Sequence, residues 1–523
     1  VDKYTMFTLE NMLFYDKTFN DKHTLGVTLL QSIQEDKRES VNVAMENLPA
    51  DNLKYYDLGS GLVTNTIGSS MIKWNMASFM GRINYNYLGR YLLTVSARYD
   101  GSSRLADGHK WVLFPSAALA WRINEESFMS STSGWLDNLK LRLGFGKTGN
   151  SAVDPYQTKG TLSLIRYPFD NGGTPTIGYA PNAMANSLLT WETTDQWNLG
   201  IDFGVLRGRI NGTIDLYMQN THDLLLKRQL PVVSGFPDVL SNVGKTRNKG
   251  IEVSINSMNI NSKDFQWTTD LMLSSNKEEI VELYNGKNDD IGSKWFIGQP
   301  VNVHYDYRKV GIWQNTESDL AEMAKFAANG TEFAPGDIKI QDVNGDYKIT
   351  DADKQILGNP RPKLIASMVN TFNYKGFDLS VFLYASFGAM LYNDIYAVEH
   401  CGRNGGVKVD YWTPNNPTNA YPRPSIDEER PIYITSTYYE KADFLRVKTM
   451  TLGYTLPKTL TNKFLVEKLR VYFTAQNPFI FTNYTGIDPE AAKVNSAGNP
   501  ETNGSGFGTP SVSSWIFGIN LTL

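Results

Sequence analysis

The stretch Ser514-Trp-Ile-Phe-Gly-Ile-Asn-Leu-Thr-Leu523 decides the fold class. Successive strand side chains point to opposite faces, so Trp515, Phe517, Ile519, Leu521 and Leu523 share one side, and Ile516, Gly518, Asn520 and Thr522 the other. The pattern recurs upstream. Leu93, Val95, Ala97 and Tyr99 oppose Thr94, Ser96 and Arg98, and Leu139, Leu141, Leu143 and Phe145 oppose Lys140, Arg142 and Gly144. Charges keep to the second face. An apolar exterior around an aqueous interior explains this arrangement, which predicts an all-β protein, an antiparallel transmembrane β-barrel.

Composition agrees with that reading. The 523 residues carry 50 basic and 54 acidic side chains without a basic field, which argues against nucleic acid as a partner. The single cysteine, Cys401, excludes an intramolecular disulfide framework. No apolar run is long enough for a transmembrane helix, but barrel strands expose only alternate residues to lipid and escape that test. The 28 Tyr, 25 Phe and 11 Trp suit aromatic girdles at the two membrane interfaces.

Connections orient the chain. Short links at 19–22, 88–90, 204–208, 259–263 and 375–376 alternate with long ones near 37–70, 100–111, 149–190, 220–246, 276–362, 388–442 and 481–512. Outer-membrane barrels have short periplasmic turns and long extracellular loops. Fifteen spanning strands follow: 4–15, 23–36, 71–87, 90–100, 113–123, 137–147, 191–203, 208–219, 247–257, 264–276, 363–374, 377–388, 443–455, 468–479 and 513–523. The strand from Phe444 loses phase midway, which predicts a bulge, and Val303–Trp313 is assigned to the long loop 276–362. Single-chain bacterial barrels have even strand counts, so an odd count predicts that 1–523 is the C-terminal portion of one barrel domain, entered in an outer loop.

The run Phe79-Met-Gly-Arg-Ile-Asn-Tyr-Asn-Tyr-Leu-Gly-Arg-Tyr-Leu-Leu-Thr-Val-Ser-Ala-Arg-Tyr-Asp-Gly-Ser-Ser-Arg104 resembles the SusC-like (RagA-like) TonB-dependent outer-membrane transporters of Bacteroidetes. Leu141-Arg-Leu-Gly-Phe-Gly-Lys-Thr-Gly-Asn150, Asn248-Lys-Gly-Ile-Glu252, Gly358-Asn-Pro-Arg-Pro362, Phe444-Leu-Arg-Val-Lys448 and Leu452-Gly-Tyr-Thr-Leu-Pro457 extend the resemblance in order. It implies a barrel of about 22 strands. The N-terminal strands, a plug and the segment that engages TonB would lie outside this sequence. It further implies location in the outer membrane of a Gram-negative bacterium, a SusD-like surface lipoprotein as partner, and active import of oligosaccharides or peptides. A passive porin-like channel and a soluble carbohydrate-binding or glycosidase β-protein are the alternatives, since sandwiches also alternate.

One segment carries local chemistry. Asp342-Val-Asn-Gly-Asp-Tyr-Lys-Ile-Thr-Asp-Ala-Asp353 has the spacing of a calcium loop. Asp342, Asn344, Asp346, Thr350 and Asp353 would offer side-chain oxygens and Lys348 its carbonyl, to structural calcium ahead of magnesium. Tyr347 stands where such loops favour Gly, and Asp353 where they favour Glu; Asp at this last position also occurs in dockerin-type loops, which the segment resembles. A polar turn rich in Asp, Asn and Gly would look similar. The loop aromatics Trp295, Phe296, Tyr411 and Trp412 are candidates for stacking on a substrate, with packing inside the loops as the competing role. Residues 316–329, with Leu320, Met323, Ala324 and Ala327 at helical spacing, predict a short helix on the outer loop. The dispersed His23, His109, His222, His304 and His400 read as loop or surface residues, and no pair of acids or nucleophilic constellation argues for catalysis.

Overall fold

A computed structural model of the chain describes residues 1–49, 51–169, 176–393, 408–425, 430–461, 463, 466–490 and 511–522. Fifteen strands form one antiparallel sheet, each bonded to the next in chain order. They are β1 (Asp2–Phe19), β2 (His23–Glu46), β3 (Val63–Tyr87), β4 (Tyr91–Ser102), β5 (Trp111–Arg122), β6 (Leu136–Asn150), β7 (Glu192–Val205) and β8 (Ile210–His222). The series continues with β9 (Lys245–Asn261), β10 (Phe265–Glu282), β11 (Leu364–Tyr374), β12 (Phe377–Phe387), β13 (Phe444–Thr455), β14 (Lys468–Thr482) and β15 (Ser514–Thr522). All fifteen expected strands are present. The expected residues Leu523, His400 and Cys401 lie outside the described residues.

Register turns the sequence alternation into surfaces. Tyr85 pairs with Leu93, Leu93 with Leu119, Leu119 with Leu143, Leu143 with Leu199, Leu199 with Leu216, and Leu216 with Ile251. One apolar row therefore crosses seven strands, β3 to β9. It stays open: Leu143 is 46% exposed and, on β15, Phe517 is 80% exposed. A soluble sandwich would bury such a face, whereas a continuous exposed apolar sheet surface suits lipid. No helix among the described residues is long and apolar enough to cross a membrane.

Aromatic rings mark both edges of the band. Near the short turns Tyr91 stacks on Trp121 at 6.4 Å, while the Tyr91 hydroxyl and the Trp121 indole N–H both donate to Glu126 Oε1, at 2.6 and 3.1 Å. Near the long loops Tyr99 stacks on Trp111 at 4.9 Å, and Phe79 on Trp111 at 6.3 Å. Tyr91 and Tyr99 are separated by about 27 Å along β4 at about 3.4 Å per residue. With the usual tilt of about 40° that is about 21 Å across the membrane, close to the apolar band of about 25 Å in such barrels.

Local rules hold this register. The Leu88-Gly89 and Lys375-Gly376 turns have positive φ at both residues (55° and 70°, 44° and 92°), the hairpin geometry that matches strand twist. Tyr472 is paired with Gly518, Tyr217 with Gly250 and Phe203 with Gly212, each ring lying where a Cβ on the glycine would stand. The expected bulge sits at Lys448, which both neighbouring strands skip.

One expectation needs correction. The loop expected at 37–70 is largely strand, because β2 continues to Glu46 and β3 begins at Val63. The charges of Glu35-Asp36-Lys37-Arg38-Glu39 look loop-like in sequence. In space they form cross-strand and same-strand pairs, Lys73–Glu35 at 2.9 Å and Lys37–Glu39 at 2.8 Å, which extend the wall beyond the apolar band.

The buried core lies at the loop end rather than within the sheet. Leu105, Phe114, Val153, Leu189 and Trp191 form one cluster, and Ile312, Ile338, Ile340, Trp412, Ile434 and Tyr438 another.

Candidate functional site

The described residues within 276–362 and 388–442 contribute a folded cap at the loop end. His304–Tyr307 pairs with Lys354–Gly358 and Lys309–Ile312 with Ile338–Ile340, so the apolar run from Val303 is loop structure, as expected. Helix α1 spans Glu317–Ala328. Thr316 caps it by accepting from Asp319 N at 3.3 Å, and Glu317 and Asp319 sit in its first turn, where the helix dipole favours acids. The helix is where the spacing predicts it, but its buried face differs. Met323 and Phe326 pack against Trp313, whereas Leu320, Ala324 and Ala327 are exposed. Lys339 Nζ lies 4.0 Å from the Trp313 ring and 3.1 Å from Asp319 Oδ1, so the charged face of the helix is tied to the same core.

The 342–353 segment follows directly on that core. Asp342 accepts from Gly345 N at 2.7 Å and from Tyr347 N at 2.8 Å, Asn344 from Asp346 N at 3.1 Å, and Asp346 from Lys348 N at 2.7 Å. Asp353 is fully buried and accepts from Val343 N at 2.9 Å and Thr350 N at 2.8 Å, closing the turn on itself. Tyr347 adopts φ 57°, the left-handed conformation for which glycine is usual at this position. Its ring explains the departure, since it packs 5.5 Å from Phe326 and beneath Lys325. Among the described residues no three His, Cys, Asp or Glu side chains converge as a metal cluster. The segment is thus a tight turn whose carboxylates are engaged by backbone amides.

The candidate aromatics separate. Trp412 is buried in the Ile312 cluster and donates from Nε1 to Gln314 Oε1 at 2.9 Å, and Phe296 is buried against Tyr305 at 4.8 Å. Packing leaves these two rings no open face. Trp295 is half-buried, its backbone bridged to Asp290, and Tyr411 is exposed beside Tyr421. The four do not form one platform by packing, since Trp412 and Phe296 belong to different clusters.

Two buried groups of the cap escaped the sequence reading. His304 lies within the cap at 2% exposure rather than on its surface, its Nε2 2.7 Å from Met390 O, and burial pushes its pKa below the usual histidine value. Tyr439 donates to Asp306 Oδ2 at 3.1 Å, and burial together with that carboxylate raises its pKa. Both sit on strands too short to show periodicity, which is why alternation gave no signal.

On the sheet's polar face the charges pair across strands. Arg142 Nε donates to Asp202 Oδ1 at 2.9 Å and Nη2 to Asp215 Oδ2 at 3.0 Å, and Arg470 Nε donates to Asp378 Oδ1 at 2.9 Å. Within β4 Arg98 donates to Asp100 at 2.7 Å, and across to β3 it donates to Ser78 at 3.0 Å. These charges make a wet, polar inner wall with no reacting pair.

Residues 3–477 match the family model described as TonB dependent receptor-like, beta-barrel. TonB-dependent receptor P3 of Formosa agariphila is 32% identical over 98% of this chain and 52% of its own length. TonB-dependent receptor SusC of Bacteroides thetaiotaomicron is 35% identical over 79% of this chain and 41% of its own length. The chain thus spans about half the length of the curated relatives it matches. In fold it is similar to the RagAB peptide transporter, with a TM-score of 0.82 at 23% identity over 99% of this chain and 56% of the other.

Proposed function

The chain belongs to the family of TonB dependent receptor-like β-barrels, outer-membrane receptors and not enzymes, and on that premise we propose that it walls an active nutrient importer of the SusC type. The observation that carries this reading is the two-faced sheet. An exposed apolar row from Tyr85 to Ile251 backs onto a polar face where Arg142, Asp202 and Asp215 pair across strands. Such a wall separates lipid from an aqueous lumen.

The cargo we propose is an oligosaccharide, with a peptide as the second reading because the structurally similar RagAB is a peptide transporter. A SusD-like surface lipoprotein would dock on the cap of outer loops, and the remaining N-terminal strands, a plug and TonB would complete the machine. Of the candidate aromatics, Tyr411 and Trp295 keep surface for a ligand. The experiment is uptake of labelled oligosaccharides and peptides by cells with and without TonB, together with affinity capture of the transporter. Uptake that stops without TonB, and co-purification of a lipoprotein, are expected. Uptake unchanged without TonB would favour the passive channel.

We also propose that residues 342–353 hold a structural cation, calcium ahead of magnesium. Asp342, Asn344, Asp346, Thr350 and Asp353 would supply side-chain oxygens and Lys348 its carbonyl. The left-handed Tyr347 and the sequential amide bonds to Asp342, Asn344 and Asp346 support it. Proteolysis of the cap should slow when calcium replaces chelator. Equal rates would count against the cation.

A further inference from the structure

The outer ends of β3 and β4, with loop residues 153–160 and Ser187, enclose a cleft of about 450 Å³. It is separate from the 342–353 segment and from the candidate aromatics, and its volume is that of a small-molecule site. Its base is firm, because Leu105, Val153, Leu189 and Trp191 pack there almost fully buried.

Two rings border the cleft. The Arg104 guanidinium covers one face of Trp74, 3.8 Å from the ring centroid, and holds the indole flat. Tyr156 is 46% exposed and sits at φ 71°, a left-handed conformation that is costly for any residue with a Cβ and persists only where the surroundings impose it. Here its hydroxyl accepts from Lys73 N at 3.2 Å, and its own carbonyl accepts from Lys159 N at 2.9 Å.

Most of the charge is paired. Three lysines, Lys73, Lys110 and Lys159, line the cleft against one acid, Asp107. Lys73 is paired with Glu35 at 2.9 Å and Lys110 with Asp107 at 2.5 Å, while Asp36 and Asp154 act on Arg104. Lys159 is exposed and has no ion pair among the described residues. The lysine of the lining left without an ion pair therefore lies beside Tyr156, with Thr158 and Ser187 for hydroxyl contacts.

We propose that this cleft binds an acidic saccharide, a sugar carrying a carboxylate or sulfate, with its ring on Tyr156 and its anion on Lys159. A peptide would use an open strand edge. Toward the cleft β3 has no strand partner at Lys73 and Asn75, but their N–H groups are already engaged by the Tyr156 hydroxyl at 3.2 Å and Ser103 Oγ at 2.8 Å, so side chains do the reading. The proposal rests on the importer reading and names its cargo class.

The test is titration calorimetry on the complete transporter in detergent, at low and high salt. The probes are a galacturonate tetramer, a sulfated galactan tetramer, maltotetraose and tetraglutamate. At least one acidic saccharide should bind ten-fold or more tightly than maltotetraose and tetraglutamate, and weaken with salt. Lys159→Ala and Tyr156→Ala should each lower its affinity five-fold or more, and Lys159→Arg should retain it. Equal binding of the neutral tetramer, tighter binding of tetraglutamate, binding of none of the four, or wild-type affinity in both alanine variants would overturn the site. TonB-dependent uptake in cells is read separately, so the cleft can fail while the importer reading stands.

Discussion

The Arg142 guanidinium reaches Asp215 by crossing directly over Gly200, which occupies the strand between them. Arg142 is paired in register with Gly200, and Gly200 with Asp215. A Cβ built on Gly200 would stand 2.5 Å from the Arg142 guanidinium carbon. The same device recurs where Arg470 and Asp378 meet over Gly453. Glycine here is required for clearance, not for a special backbone angle.

Gly200→Ala should therefore push Arg142 aside and break its bond to Asp215 without disturbing Gly200's strand pairing. The expected loss is about 1.5–3 kcal/mol, the range for hydrogen bonds to charged groups. Arg142→Ala in the Gly200→Ala background should add less than it does alone. A double-mutant cycle by urea unfolding in detergent measures this, and full additivity would contradict the arrangement.

The two faces predict opposite tolerances. Leu143 lies in the middle of the apolar row, so Leu143→Lys should destabilise by about 2–4 kcal/mol when the barrel is unfolded from lipid vesicles. Gly144→Ser, one residue along and on the polar side, has open space for its side chain and should cost much less. Equal losses would reverse the assignment of lipid and lumen.

Arg446 and Asp488 form an ion pair at 2.5 Å, with side chains only 4% and 3% exposed. Asp488 also accepts from Ser511 N at 3.0 Å and Glu490 N at 2.9 Å, so one carboxylate ties the segments on either side of residues 491–510 to β13. Asp488→Ala would leave Glu490, 3.1 Å from Arg446 Nε and shared with Lys448, as the buried guanidinium's remaining ion-pair partner, at a cost of about 1–3 kcal/mol. Replacing both, Arg446→Met with Asp488→Leu, should recover part of that loss. Thermal unfolding followed by tryptophan fluorescence gives both values.

His304 predicts a pH dependence with a definite sign. Its pKa is lowered by burial, so the unfolded cap binds a proton that the folded cap does not. The stability it contributes is complete above about 6.5, the unfolded value, and is lost as pH falls from there through the folded pKa. Protection factors over 300–310, which correct for the intrinsic slowing of exchange at lower pH, should fall between pH 7.5 and 5.5 in the wild type. His304→Phe should flatten that dependence, and an unchanged profile would remove His304 as its source.

Strands were legible because a membrane wall is repetitive: each must alternate, and the physics of lipid allows few exceptions. Even the bulge at Lys448 showed as a loss of phase. The cap was legible only in pieces. The Asp342 segment and α1 were visible as local patterns, yet of Leu320, Met323, Ala324 and Ala327, which spacing selected, only Met323 is buried, and Phe326 is the residue that packs on Trp313 and Tyr347. Ala and Leu spacing fits several helix faces, and only the neighbouring rings choose between them.

By itself, then, the alternation of Trp515, Phe517, Ile519 and Leu521 against Gly518 and Asn520 determined a lipid-facing antiparallel sheet, because strand geometry alone assigns side chains to faces. Tertiary structure decided what distance in sequence conceals. It placed Trp412 in a core with Ile312 and Ile338, carried Arg142 over Gly200 to Asp215, and set Tyr156 and Lys159 at the rim of a cleft with Trp74. Those contacts depend on which loops fold together at the outer rim, and no local periodicity encodes that choice.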